Sequence, residues 1–133
     1  MKIHIEKLIH NLPNVHYGEI NLVLDGGAFS GSYILGALHY IKHLQDLNRI
    51  QINKLSGSSI GTILCILFKL NKLDYIDEIY TKVRNYFKKY GHLHILPKIL
   101  NSISQIMPTD FYMQCNDNLF ISYHDIKIGR AHV

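Results

Sequence analysis

Cysteine is scarce in this 133-residue sequence, which holds only Cys65 and Cys115. Two cysteines do not make a disulfide framework, and a reducing, intracellular setting suits them. Long apolar runs are missing too. No stretch approaches the roughly 18 apolar residues of a membrane-crossing helix. The start, Met1-Lys2-Ile3-His4-Ile5-Glu6-Lys7, lacks the unbroken apolar segment of a signal peptide. Neither a transmembrane helix nor a signal peptide is therefore predicted, and any meeting with a membrane is expected at its surface. There is no internal repeat, low-complexity tract or linker.

What is present is globular: 47% of residues are hydrophobic and 18% charged. The length suits one domain or a piece of one. A chain of this size buries about two-thirds of its surface. The formal charge is +4, with nine histidines outside that count. So mild a positive balance is compatible with an anionic membrane surface. It is too scattered to argue for a nucleic-acid partner.

Residues 1–18 read as an ill-defined lead-in. The apolar run Ile20-Asn21-Leu22-Val23-Leu24 ends in Asp25-Gly26-Gly27 and reads as a buried strand entering a turn. From Gly31, helical spacing of Tyr33, Leu35, Leu38, Ile41 and Leu44 predicts a helix, with Gly36 allowing close packing on a sheet. Ile50, Ile52 and Leu55 alternate as a second strand, and an apolar helical run covers residues 60–70. Asp74 is placed to cap a further helix with a stripe of Tyr75, Ile79, Val83, Tyr86 and Phe87, broken at Tyr90-Gly91-His92. Ile95, Ile99, Ile103 and Ile106 predict another helix, ended by Pro108. Residues 118–123 alternate as a third strand. Strand, helix, strand, helix is the signature of a parallel sheet with covering helices. Cys65 reads as a small core residue, and the tyrosine and isoleucine stripes read as core.

One stretch organises the rest: Leu55-Ser56-Gly57-Ser58-Ser59-Ile60-Gly61-Thr62. Gly57 to Gly61 spells G-x-S-x-G between a strand and a helix. In that context Ser59 is a candidate nucleophile on a sharp strand-to-helix turn. Gly57 and Gly61 leave room for the neighbouring strand and helix. A serine N-cap, by Ser58 or Ser59, is the plainer alternative. Upstream, Asp25-Gly26-Gly27-Ala28-Phe29-Ser30-Gly31 brings small residues to a helix start. Such a loop presents backbone N–H groups to an anion. Both loops leave the C-terminal ends of parallel strands, where open α/β sheets bind ligands. One loop can supply oxyanion donors and the other the attacking oxygen, with the Ile60 amide adding a donor.

These two motifs, in this order and spacing, resemble the patatin-like phospholipases. The resemblance covers residues 22–70. A fainter one, through Ile106-Met107-Pro108-Thr109-Asp110 and Asn118-Leu119-Phe120-Ile121-Ser122, is to the adipose triglyceride lipase and adiponutrin subgroup. The resemblance implies a three-layer α/β fold with a mainly parallel sheet over residues 19–127. It implies a lipid acyl hydrolase acting on phospholipid or acylglycerol esters through a Ser–Asp dyad. Neither a cofactor nor a metal is implied, and a peripheral membrane or lipid-droplet surface is the setting it suggests. By that motif Ser59 is the nucleophile, while Gly26, Gly27, Ala28 and Gly31 form the oxyanion loop. Two departures stand out: Ala28 where the family has a third glycine, and Ser30 where it often has Arg or Lys. If position 28 needs a positive φ, alanine costs about 1–2 kcal/mol there.

The family's catalytic Asp belongs to a downstream Asp-Gly-Gly or Asp-Gly-Ala motif. The only Asp-Gly here, Asp25-Gly26, is already part of the oxyanion loop. Asp110, Asp117 and Asp125 are not followed by glycine, so none matches, and without a base Ser59 is a weak nucleophile. The last six residues, 128–133, look like a translated sequencing adapter and are expected to be a non-native tail. The domain is then incomplete at its C-terminus, and the 133-residue chain is expected to be poorly active.

Other candidates have plainer accounts. His92-x-His94 falls short of a metal site without nearby Cys or carboxylates. Lys88-Lys89-Tyr90 could touch lipid headgroups or be a solvated helix face. Asp25 ends a strand and shapes a turn. A catalytically inactive lipid-binding or interaction protein of the same fold is the alternative to the enzyme. Nucleotide binding ranks last, because Gly26-Gly27-Ala28 departs from G-x-G-x-x-G and Leu55-Ser56 supplies no acid.

Overall fold

A computed structural model describes residues 2–27, 31–125 and 130–132. The stretch before Gly18 is not structureless. Helix α1 (Lys2–His10) places Ile5 and Ile9 one turn apart on one face. Both are buried against Leu44 and Ile50 in a small core. A ridge of two residues is a weak pattern in sequence; a partner surface distant in the chain makes it a helix.

Strand β1 (Glu19–Leu24), helix α2 (Gly31–Asp46), strand β2 (Gln51–Ser58) and helix α3 (Ile60–Lys69) follow. Next come α4 (Tyr75–Tyr90), α5 (Leu96–Gln105), a short α6 (Phe111–Cys115), β3 (Leu119–Asp125) and β4 (Arg130–His132). The sheet order is β1-β2-β3-β4. β1, β2 and β3 are parallel, and β4 runs antiparallel to β3. The register aligns Leu22 with Leu55 and Leu119, and Val23 with Ser56 and Phe120. It slips once between Ile20 and Asn21. There the Asn21 side chain accepts a hydrogen bond from the Lys54 amide at 3.1 Å, so the amide beside the slip keeps a partner.

The core explains the layering. Leu22, Leu24, Leu55 and Leu119 pack with Leu35 and Leu38 of α2, Leu64, Cys65, Leu67 and Phe68 of α3, and the isoleucines of α4 and α5. α3 lies directly against the sheet, and α2, α4 and α5 join it in that core. Side chains alternate along a strand, so Val23 points to the other face and is largely exposed. The three-layer arrangement that the resemblance implies is not shown by the described residues, whose helices α2, α3, α4 and α5 share one core with one face of the sheet. The α/β class and the mainly parallel sheet stand.

Two local expectations change, and one element was not expected. Asp74 precedes α4, but its carboxylate makes no capping hydrogen bond and lies 3.8 Å from His39 Nε2. Gly36 is not needed for close packing, since a Cβ there would meet nothing within 4 Å. After Pro108 the chain re-forms a helical turn, α6, whose Phe111 and Cys115 are buried; two apolar positions four apart left little pattern to read. The break after α4 is as expected. Gly91 adopts φ 71°, the left-handed end that glycine tolerates, and its amide donates to the Phe87 carbonyl at 2.8 Å.

Candidate active site

β2 ends at Ser58 and α3 begins at Ile60, leaving Ser59 as the whole turn. Its backbone sits at φ 51°, ψ −123°. A non-glycine residue held there stores about 1–3 kcal/mol of strain. Ser59 is exposed, and its hydroxyl makes no capping hydrogen bond to α3. The plain N-cap account of this serine therefore does not describe its side chain. Among the described residues, no hydrogen bond joins Ser59 Oγ to a carboxylate or imidazole.

The two glycines of the turn each have a steric reason. A Cβ on Gly57 would lie 2.6 Å from the Gly61 carbonyl carbon and oxygen. A Cβ on Gly61 would collide with the Leu24 carbonyl oxygen and lie 2.8 Å from that of Asp25. The start of α3 is thus pressed against the end of β1 and back onto β2. Two hydrogen bonds close the turn. Thr62 Oγ1 donates to the Gly57 carbonyl at 3.0 Å and the Thr62 amide to the Ser59 carbonyl at 3.1 Å.

The loop after β1 crosses directly above the serine. A Cβ on Gly26 would come 3.3 Å from Ser59 Cβ and 3.5 Å from Ser58 Oγ. The Asp25 carboxylate accepts a hydrogen bond from the Gly26 amide at 2.7 Å. Asp25 therefore shapes the turn, and the Gly26 amide is engaged by its neighbour. Gly27 adopts φ 113°, a conformation glycine takes without strain. Ala28 lies outside the described residues, as do Phe29 and Ser30.

Gly31 opens α2 and is buried. A Cβ on it would meet the Tyr80 hydroxyl and lie 3.2 Å from Ile60 Cγ1. The N-termini of α2 and α3 therefore converge beside Ser59. Each helix start carries unpaired amides and a partial positive charge. Ile60, the first residue of α3, supplies the amide after the serine, the kind of donor that oxyanion stabilisation uses.

Tyr80 was not legible as part of this site. It is half-buried on α4, and burial pushes its phenol up from the ordinary value. Nothing in its sequence neighbourhood distinguishes it from the other tyrosines of that helix; only the fold brings it to Gly31.

The remaining acids have their own roles. Asp110 accepts a hydrogen bond from Gln114 at 3.0 Å, Asp117 one from Asn116 at 3.0 Å, and Asp125 closes β3. The His92 and His94 rings lie 4.1 Å apart, and no group of three or more potential metal ligands occurs among the described residues.

Over 68 residues the chain is 41% identical to a protein of Invertebrate iridescent virus 6 described as "Probable lipid hydrolase 463L". The match takes in 49% of this chain and 20% of the viral protein, so the chain spans about a fifth of that relative's length. No protein-family model matches the chain, and no solved structure gives a significant match.

Proposed function

We propose that this chain carries the nucleophile and oxyanion donors of a serine hydrolase of lipid esters, built on a patatin-like plan. The observation that carries the reading is the backbone of Ser59. It holds a strained conformation between two sterically obligatory glycines, with its hydroxyl exposed and uncommitted. A structural serine needs none of this. Asn48, Asn71 and Asp117 also take positive φ, as Asn and Asp readily do; an exposed serine held so is the mark of a working site. The partial likeness to a protein described as a lipid hydrolase supports the substrate class.

The chemistry follows from placement. Ser59 Oγ attacks the ester carbonyl, and the Ile60 and Gly27 amides, with the two helix N-termini, stabilise the tetrahedral oxyanion. Removing one such donor costs roughly 3–4 kcal/mol in comparable sites. The hydroxyl proton needs an acceptor, and none contacts Ser59 Oγ among the described residues. The 133-residue chain alone is accordingly expected to be a poor catalyst. The missing acceptor also favours a second reading, a lipid-binding protein of the same fold without catalysis.

Hydrolysis of a short-chain nitrophenyl ester and of a phospholipid by the natural gene product tests the proposal. Turnover that Ser59→Ala abolishes while folding is retained supports it. Turnover unchanged by Ser59→Ala overturns it, and the absence of turnover in the folded natural product supports the binding reading.

A further inference from the structure

We infer that the corner between α4 and α5 is a docking surface for an anionic lipid–water interface. This deepens the hydrolase reading, because it gives the enzyme a way to meet its substrate in bulk. Charge comes first. Five of the fourteen Lys and Arg, and none of the ten Asp and Glu, fall in residues 79–109. The five are Lys82, Arg84, Lys88, Lys89 and Lys98. The formal charge of +4 is therefore carried by this stretch, and the rest of the chain is close to neutral. All five side chains are exposed. Lys82 lies 3.9 Å from Glu78, and Lys89 lies over the Tyr90 ring at 4.9 Å.

Apolar exposure coincides with that charge. The stripe of α4 starts in the core at Ile76 and Ile79, then runs out of it. Phe87 is 44% and Tyr90 50% exposed. Past Gly91, α5 buries Ile99 and Ile103 but carries a second ridge, Leu96 and Leu100, 41% and 54% exposed. These two sit four apart on one face. Between the helices the rings of Tyr86, Tyr90 and His92 pack on one another with centroids 4.6–6.0 Å apart.

The acids of α4, Asp77 and Glu78, lie in its first turn, and Lys88 and Lys89 in its last. Exposed aliphatic and aromatic side chains beside that basic end fit a surface apolar below and negative above. Tyrosine rings suit that boundary, being apolar in body and polar at the tip. Each basic residue near such a surface adds a comparable increment of attraction. A protein partner's interface core would instead be expected to be depleted of lysine. No helix among the described residues is long and apolar enough to cross a membrane, so this contact would be peripheral.

The test is co-sedimentation of the full chain, carrying Ser59→Ala, with vesicles of phosphatidylcholine alone or mixed with phosphatidylserine. Expected is pelleting with the anionic vesicles that weakens as salt rises. Lys88→Glu with Lys89→Glu should lower the partition about tenfold or more. Leu100→Ser should lower it without changing the circular dichroism of the folded chain. Equal partition onto neutral vesicles, no pelleting of the folded chain, or charge-reversed protein that binds like the parent would each overturn the proposal. So would a concentration-dependent dimer lost on Phe87→Ser, which would assign the surface to a second copy. Because Ser59 is already removed, failure here leaves the hydrolase reading untouched, and failure of catalysis leaves this one untouched.

Discussion

Gly57 and Gly61 are in backbone contact across the Ser59 turn, with only 2.6 Å between a Cβ built on Gly57 and the Gly61 carbonyl. The pentapeptide is thus a packing device before it is a chemical one. The glycines let a helix start directly on the end of a strand, and that closeness throws Ser59 into its unusual backbone.

It follows that Gly57→Ala and Gly61→Ala each destabilise the fold, by about 1–3 kcal/mol or more, as overpacking against backbone does. Gly61→Ala should be at least as costly, since it meets β1 carbonyls. Gly36→Ala is the control. It faces open space inside a helix and should stabilise by roughly 0.5–1 kcal/mol. Urea midpoints of the three variants check this.

Ser59 itself should be replaceable at a gain. Glycine accepts φ 51°, ψ −123° freely, and Ser59 makes no capping bond to lose. Ser59→Gly is expected to raise stability by about 1–2 kcal/mol while abolishing chemistry. Thermal unfolding read beside an activity assay shows whether stability and function trade at this residue.

Tyr80 and Gly31 should couple. Gly31→Ala forces the new methyl into the Tyr80 hydroxyl, and Tyr80→Ala vacates that space. The double variant is expected to recover part of the loss, with a coupling of about 1 kcal/mol or more. A double-mutant cycle by denaturant unfolding measures it.

Cys65 should be inert in the native state. Burial pushes its thiol from 9.0 up to about 12, so little thiolate exists at neutral pH. Burial raises Cys115 as well, with the Lys69 charge pulling it partly back. Alkylation of Cys65 is expected only at the rate of unfolding. The sign of the linkage follows. A thiol whose folded value is raised favours folding below the unfolded value, and that contribution is lost as pH rises from about 9 toward 12. Stability should therefore fall over that window, and Cys65→Ala should flatten the fall.

Much of this was written in the chain, because the patterns were local. The apolar runs at Ile20 and Ile52, the helical spacing after Gly31 and the G-x-S-x-G stretch each carry their own signal, and the elements formed where the spacing put them. What escaped depended on distant partners. Helix α1 exists because Leu44 and Ile50 offer Ile5 and Ile9 a surface. Asp74 looked like a cap and instead stands near His39. In the site, the Asp25 carboxylate on the Gly26 amide and the Tyr80 hydroxyl at Gly31 are tertiary facts that no spacing encodes. The layer count also depends on packing, since only the fold shows which face the helices share.

The central claim is that Ser59, and not its neighbour Ser58, is the attacking residue. The most direct measurement treats the folded natural gene product with a fluorophosphonate and locates the adduct by peptide mass. The account predicts an adduct on Ser59 that vanishes in Ser59→Ala and survives Ser58→Ala. No adduct on folded protein, or one that persists in Ser59→Ala, would contradict it.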